Sequence, residues 1–298
     1  MSAVEPVDAA LLRAMPLPEH REGEDKNRRG RVLVIGGSTE VPGAAYLSGM
    51  AALRAGAGKL QIATVRSMAP QLALAMPEAR VTGLGETPAG GIDPAEASRL
   101  AGRIGGVDAV VLGPGMLDAA AVAALTRDLL ADAEGSAGFV LDAEALAGLR
   151  DCRPALRRHA GRLVLTPHAG EMAGLLDLPK AAVEADPLGA ARQAAALLGA
   201  VVVMKGGCSH IVSPQGQAWS CDQGNVGLAT SGSGDTLAGI IAALMARGAA
   251  PVVATLWGVF LHGEAGNRLA QAQGPIGFLA REIPAELPRI MREVAQGG

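Results

Sequence analysis

The chain has 298 residues, of which 49% are hydrophobic, 18% charged and 2% aromatic, with 26 basic residues against 29 acidic ones. A net charge of −3 with no long run of either sign argues against a nucleic-acid groove or a membrane-surface patch, since both need clustered positive charge. So few aromatics also argue against base-stacking platforms.

In chain order, "MSAVEPVDAALLRAMPLPEH" carries Glu5 and Asp8 and no apolar stretch of signal-peptide length. Residues 1–29 read as a poorly specified N-terminal extension, and residues 30–298 as one domain. "RVLVIGG" (31–37) is an apolar strand run closed by two glycines. "GAAYLSGMAALRAG" (43–56) follows, with Ala44, Leu47, Met50, Ala51 and Arg54 at helical spacing. "KLQIATV" (59–65) is the next strand. "DAVVLGPG" (108–115) repeats the strand-then-glycine form, and "AAAVAALTRDLLADA" (119–133) repeats the helix. "GFVLDAEAL" and "GRLVLTPHAGEMAGLL" follow the same design, each with a polar residue at the end of its strand. Strands that are apolar throughout and alternate with helices predict an α/β fold, a mostly parallel sheet with helices on both faces.

"AVVVMKGGCSHIVSPQGQAWSCD" (200–222) departs from the alternation, giving three short strands separated by glycine- and proline-containing turns. It predicts a short antiparallel meander appended to the parallel sheet. The longest apolar region, 237–263, is broken by Arg247, Gly248 and Pro251 and does not span a bilayer. Cys152, Cys208 and Cys221 are odd in number without CxxC spacing, so they read as free thiols in a reducing cytoplasm. A cytoplasmic protein is expected.

Ligands of open parallel sheets bind beyond the C-terminal strand ends. Polar residues collect there: Gly36-Gly37-Ser38, Gly113-Pro114-Gly115, Asp142, Thr166-Pro167-His168 and Lys205-Gly206-Gly207. Neither the dinucleotide fingerprint nor the P-loop is met: the first loop reads G-G-S-T-E-V-P-G, and "LRAGAGKL" has Leu53 and Leu60 where the P-loop needs Gly and Ser or Thr. "GLATSGSGDTLAGIIAALMARG" (227–248) is more informative. Leu237, Ile240, Ile241, Leu244 and Met245 mark an apolar helix face, so a helix begins between Ser233 and Thr236. Gly232 and Gly234 free the backbone to turn amides toward one point, and the helix dipole adds to an anion site. Asp235 at that point has two readings. It is a base that takes a proton from a hydroxyl attacking phosphorus, or Asp235 or Ser233 merely caps the helix.

"GRVLVIGGSTEVPGAAYLSGMAALRAGAG", "VVLGPGM", "VLDAEAL", "LTPHAGEMAGLL", "VVVMKGG", "NVGLATSGSGDTLAGIIAALMARG" and "GVFLHGEAGNRLA" occur in an order that resembles the ADP-dependent NAD(P)H-hydrate dehydratases of the ribokinase-like superfamily. The resemblance covers residues 30 to 290. It departs at Ser231, where the family has glycine, and at Val226, where it has proline. Members are often fused to an N-terminal epimerase domain. The segment before the first strand is too short for one, so a stand-alone dehydratase is expected. The resemblance implies a metabolite-repair lyase acting on the S epimer of NADH or NADPH hydrated at C6. ADP would phosphorylate the C6 hydroxyl, and phosphate elimination would restore the dihydronicotinamide, leaving AMP and phosphate. It makes Asp235 the base and the backbone of Gly232, Ser233 and Gly234 the anion hole. Lys205, Gly206, Gly207, Cys208 and Ser209, with Gly234, would cradle the nucleotide. Ala44, Gly115, His168 and Asp235 would line the hydrated-nicotinamide site.

Plainer readings stand beside these. Lys205 is a strand-end lysine, although one of only four in the chain, at 26, 59, 180 and 205. His168 starts a helix, and Asp142 caps one as readily as it bonds substrate. His262 and Glu264 read as buried, hydrogen-bonded residues of an apolar helix, with a subunit interface as one setting. Glu171, spaced H-x-x-E from His168, is a candidate to steady Mg²⁺ through water. No cluster of ligand residues predicts a protein-caged metal, so Mg²⁺ would arrive with ADP. Trp257, Phe260 and Leu261, with Val252, Val253 and Leu256, give helix 251–273 more apolar circumference than one face needs. With the resemblance, that predicts a homo-oligomer, a tetramer above other sizes. Two alternatives stay open: an ATP-dependent hydroxyethylthiazole or hydroxymethylpyrimidine kinase with the same anion hole, and a non-catalytic nucleotide sensor.

Overall fold

In the computed structural model, which describes residues 3–20, 22, 23 and 25–297, ten strands hydrogen-bond into one sheet. They are β1 (Val4–Pro6), β2 (Arg31–Ile35), β3 (Lys59–Val65), β4 (Ala79–Leu84), β5 (Ala109–Leu112), β6 (Gly138–Leu141), β7 (Leu163–Leu165), β8 (Val201–Met204), β9 (Ser209–Val212) and β10 (Ala218–Cys221). The order across the sheet is β1-β10-β9-β8-β7-β6-β5-β2-β3-β4. Strands β2 to β8 are parallel, and β9 runs antiparallel to both β8 and β10. The parallel sheet and the appended meander are both present.

The inner parallel strands β2 and β5 to β8 are buried on both faces apart from Arg31, which is why these runs carry no alternating polar residue. Alternate positions still diverge by face. Val32, Val34, Val111, Val140 and Val164 pack with the helices Gly43–Arg54 and Ser233–Ala246. Leu33, Ile35, Val110, Leu112, Phe139 and Leu141 pack on the other side with the helices Ala97–Ile104, Ala119–Asp132 and Pro187–Leu198.

The N-terminal segment is better specified than its sequence suggests. β1 pairs in parallel with β10, and Trp219 Nε1 donates to Glu5 Oε2 at 3.2 Å. The short helix Ala9–Ala14, capped by Asp8, buries Leu12 completely. Trp257 Nε1 then donates to the Met15 carbonyl at 2.9 Å. Residues 1, 2, 21 and 24 of this segment lie outside the described residues.

The helix Pro251–Gln273 also departs from expectation. Leu256, Trp257, Phe260 and Leu261 are all buried within the single chain, between the helix Ser233–Ala246, the helix Ile283–Gln296 and the N-terminal segment. Its wide apolar surface is therefore core and gives no support for an interface there. Among the described residues no helix is long and apolar enough to cross a membrane.

The helix Ser233–Ala246 buries twelve of its fourteen residues, so it packs on every side instead of along one stripe. Against the helix Gly43–Arg54 the approach is backbone to backbone: a Cβ on Gly239 would stand 2.1 Å from the Ser48 carbonyl oxygen. Gly239→Ala would gain about 1 kcal/mol of helix propensity but overpack this contact, at about 1–3 kcal/mol or more. The overpacking wins, so urea unfolding should show a lower midpoint for Gly239→Ala. A midpoint equal to or above wild type would show that the two helices can part without loss.

Candidate active site

The helix Ser233–Ala246 begins at the C-terminal edge of the sheet. Its N-cap is Gly232, at φ 87°, and no side chain caps it. Gly232 alone takes the left-handed turn, because Ser231 does not have positive φ. The serine in the family's glycine position therefore costs the loop nothing. The capping alternative for Asp235 and Ser233 does not hold. The amides of Gly234 and Asp235 stay at the open helix end, aligned with its dipole. Ser48 Oγ donates to the Asp235 carbonyl at 2.9 Å and ties this first turn to the helix Gly43–Arg54.

Facing it is a charged group drawn from three neighbouring strands. Lys205 follows β8 and donates from Nζ to Asp142 Oδ1 at 2.8 Å, just beyond β6. Thr166, after β7, donates to the same Oδ1 at 2.7 Å. Asp142 is thus held by two donors and caps nothing. Glu171 Oε2 lies 3.6 Å from Lys205 Nζ. It also accepts from the His168 backbone N–H at 2.7 Å, while His168 Nδ1 accepts from the Glu171 N–H at 3.1 Å. His168 therefore does start a helix, in a reciprocal capping box, and its ring also borders the cavity. Burial works against the Lys205 charge, but the neighbouring Asp142 and Glu171 outweigh it and hold its pKa above the ordinary lysine value. Burial first, then Asp142, pushes the Asp235 carboxyl up from 3.8 to about 6, with Lys205 opposing and Glu171 adding to the rise.

Asp142, His168, Glu171, Lys205 and Asp235 line a cavity of about 930 Å³, which is large enough for a nucleotide and a second small molecule. Gly206, Gly207, Ser209, Gly232, Ser233 and Gly234 lie on its wall with them. Cys208 does not; it is exposed beside that wall. Ala44 and Gly115 are also absent from the lining, and pack on each other: a Cβ on Gly115 would come 2.6 Å from that of Ala44. Gly115 sits in the loop after β5, and Ala44 in the first turn of the helix Gly43–Arg54 that follows β2.

One side of the cavity has no counterpart among the residues expected from sequence. Val226, Leu228, Ala229, Leu237 and Val259 give it an apolar wall, and Gln223 and Asn225 a polar rim. Asn225 Nδ2 donates to Asn267 Oδ1, and Asn267 Nδ2 to Gln223 Oε1, tying that rim to the helix Pro251–Gln273. Asn225 stands in a motif but has no role by residue type alone. His262 is hydrogen-bonded, as expected of a polar residue in an apolar helix, and the partner it reaches is the helix start, with Nε2 2.9 Å from Ser233 Oγ.

An uncapped helix start, a strand-end lysine and a buried carboxylate meet in one cavity at the C-terminal edge of the sheet of a ribokinase-like fold. A ribokinase-like superfamily protein from Enterococcus faecalis V583 superposes with a TM-score of 0.80 and 28% identity, over 98% of this chain and 97% of that one. The family model of the NAD(P)H-hydrate dehydratases matches residues 32–289, and the chain belongs to that family. It is 51% identical over 295 residues to an ADP-dependent (S)-NAD(P)H-hydrate dehydratase of Xanthomonas campestris pv. campestris, covering 99% of this chain and 98% of the relative. A Bacillus subtilis ADP/ATP-dependent NAD(P)H-hydrate dehydratase, co-crystallised with ATP and Mg²⁺, superposes with a TM-score of 0.81 and 29% identity, over 98% and 99% of the two chains.

The raised Asp235 pKa has a sign that can be checked twice. If Asp235 must be ionised to act, kcat/KM should fall tenfold per pH unit below about 6 and level off above it. For stability, the native state keeps a proton between 3.8 and about 6 that the unfolded chain has released, so stability falls as pH rises through that window. Asp235→Asn removes the charge and should be more stable than wild type at pH 8 by about 1–3 kcal/mol, at ~1.4 kcal/mol for each tenfold difference in proton affinity. The gain should vanish near pH 4. Equal urea midpoints at both pH values would place the carboxylate in water.

Proposed function

We propose that this chain is an ADP-dependent dehydratase of the S epimer of hydrated NADH and NADPH, a repair enzyme that returns them to NADH and NADPH. The observation that carries the reading is Asp235 beside an uncapped helix start. Asp235 takes the proton of the C6 hydroxyl, and that oxygen attacks the β-phosphorus of ADP as the bond to the AMP oxygen breaks. The Gly234 and Asp235 amides and Lys205 receive the charge on the transferring group. Hydroxide leaves carbon poorly and a phosphate ester leaves well. Loss of phosphate from C6 and of a proton from C5 then restores the ring double bond. A pKa of about 6 suits the base, since Asp235 is ionised at neutral pH yet still basic enough to accept a proton. The apolar wall from Val226 to Val259 suits the adenine. Family membership favours this chemistry over the small-molecule kinase alternative.

Asp142, Glu171 and Asp235 surround one ammonium, so the site is net negative before an anionic nucleotide enters. Among the described residues no group of three His, Cys, Asp or Glu side chains could hold a metal ion by itself. That donor set fits Mg²⁺ carried in on the nucleotide, with Glu171 as the residue that steadies its water shell. When bound, the ion offsets the phosphate charge that Lys205 alone does not. We further propose a homo-oligomer, on the family resemblance alone; a monomer mass in light scattering at micromolar concentration overturns it.

Hydrated NADH should regain dihydronicotinamide absorbance when the protein, ADP and Mg²⁺ are added, with AMP formed in equal amount. Asp235→Asn should lose about 10²–10⁴-fold in rate while still binding ADP. A variant retaining more than about a tenth of the wild-type rate would remove Asp235 as the base. Excess EDTA should abolish turnover and Mg²⁺ restore it. Full activity in chelator would refute the metal requirement.

A further inference from the structure

His262 belongs to a helix that is otherwise largely apolar, yet its ring reaches across to the first turn of the helix Ser233–Ala246. Nε2 lies 2.9 Å from Ser233 Oγ and 3.1 Å from the Ser233 carbonyl oxygen. A carbonyl oxygen can only accept. A bare Nε2 at that distance would set lone pair against lone pair, so the proton sits on Nε2 and Nδ1 is bare. Nε2–H is then shared between the carbonyl and the hydroxyl, and the hydroxyl is the acceptor. Its own hydrogen must point elsewhere. Ser233 is only 5% exposed, and both residues border the cavity onto which the helix amides open.

We propose that His262 is a positioning residue whose Nε2–H turns the Ser233 hydroxyl proton toward the phosphoryl group, adding a side-chain donor to the Gly234 and Asp235 amides. This rests on reading the helix start as the phosphoryl site. Burial and the nearby Lys205 charge push the imidazole pKa down to about 4, so it stays neutral and keeps one tautomer at the working pH. The fixed orientation matters because a freely rotating hydroxyl is not a preorganised donor.

The test is a cycle of variants read by kcat and KM. Ser233→Ala should lower kcat by on the order of a hundredfold, and His262→Phe by about tenfold or more, with KM for ADP within about threefold. Because both act through one hydroxyl, the double variant should match Ser233→Ala within about threefold. His262→Gln, whose amide N–H reaches as far as Nε2, should recover most of the loss. Losses that multiply, a His262→Phe rate within about twofold of wild type, or a glutamine no better than phenylalanine would each overturn the proposal. If His262→Phe does not fold, His262→Leu, which also lacks a donor, carries the same comparison with and without Ser233→Ala. Nitrogen NMR of the wild-type imidazole, which needs no turnover, should show Nε2 protonated and Nδ1 bare across the neutral range. The opposite tautomer would overturn the inference even if dehydration is confirmed, and absent dehydration with the expected tautomer would count against the proposed function alone.

Discussion

The contact between the helices Gly43–Arg54 and Ser233–Ala246 fixes the point at which phosphate would be bound. Backbone meets backbone at Gly239 and Ser48, and one turn earlier the Ser48 hydroxyl holds the Asp235 carbonyl. Oriented amides stabilise charge only if they need not reorganise as it develops. A helix buried on nearly all sides, tied at its first turn, meets that requirement. The strand-end groups are aimed at a reference that does not shift.

Electrostatics around that point is organised by Lys205. Its ammonium faces Asp142, Glu171 and Asp235, hydrogen-bonding to Asp142 and pairing with Glu171 at 3.6 Å. Thr166 completes the coordination of Asp142, which stays a held counter-ion. Asp235 is then the carboxylate left least compensated, and it carries the raised pKa. Burial first, and Asp142 second, make Asp235 basic, while Lys205 opposes the rise. Neighbouring carboxylates are thus separated into a fixed anchor and a proton acceptor by burial of Asp235 and by which of them holds the lysine.

Much of this is legible in the sequence because it is local. Apolar runs closed by Asp142, Thr166 and Lys205 give strands with a polar end, and period 3.6 beyond Gly234 gives the helix. The partnership of Asp142 with Lys205 is not legible: 63 positions separate them, and only the adjacency of β6, β7 and β8 brings them together. β1 is three residues long and owes its existence to β10, so no periodicity could announce it. β4 escapes notice because this edge strand is mostly part-exposed, without the continuous apolar run of its neighbours. That His262 is hydrogen-bonded follows from its place in an apolar helix, but its partner Ser233 is not legible, because the direction of one polar side chain depends on the crossing with another helix. The wide apolar surface of the helix Pro251–Gln273 misleads for the same reason: partners from the chain's own N-terminus cover it.

The meander has a topological purpose. β8 delivers Lys205 to the C-terminal edge of the sheet, and a helix that simply followed would run back along the face with its N-terminus already spent there. β9 instead returns the chain and β10 sends it out again, parallel to β8. The chain therefore reaches the same edge a second time at Cys221, with the loop 222–232 still to come before the next helix. That loop supplies Gln223, Asn225, Val226 and Leu228 to the cavity, and its end, Gly232, opens the helix toward Lys205. Two passes to one edge let a single chain place a cation and an uncapped helix start face to face, which one βα unit cannot do.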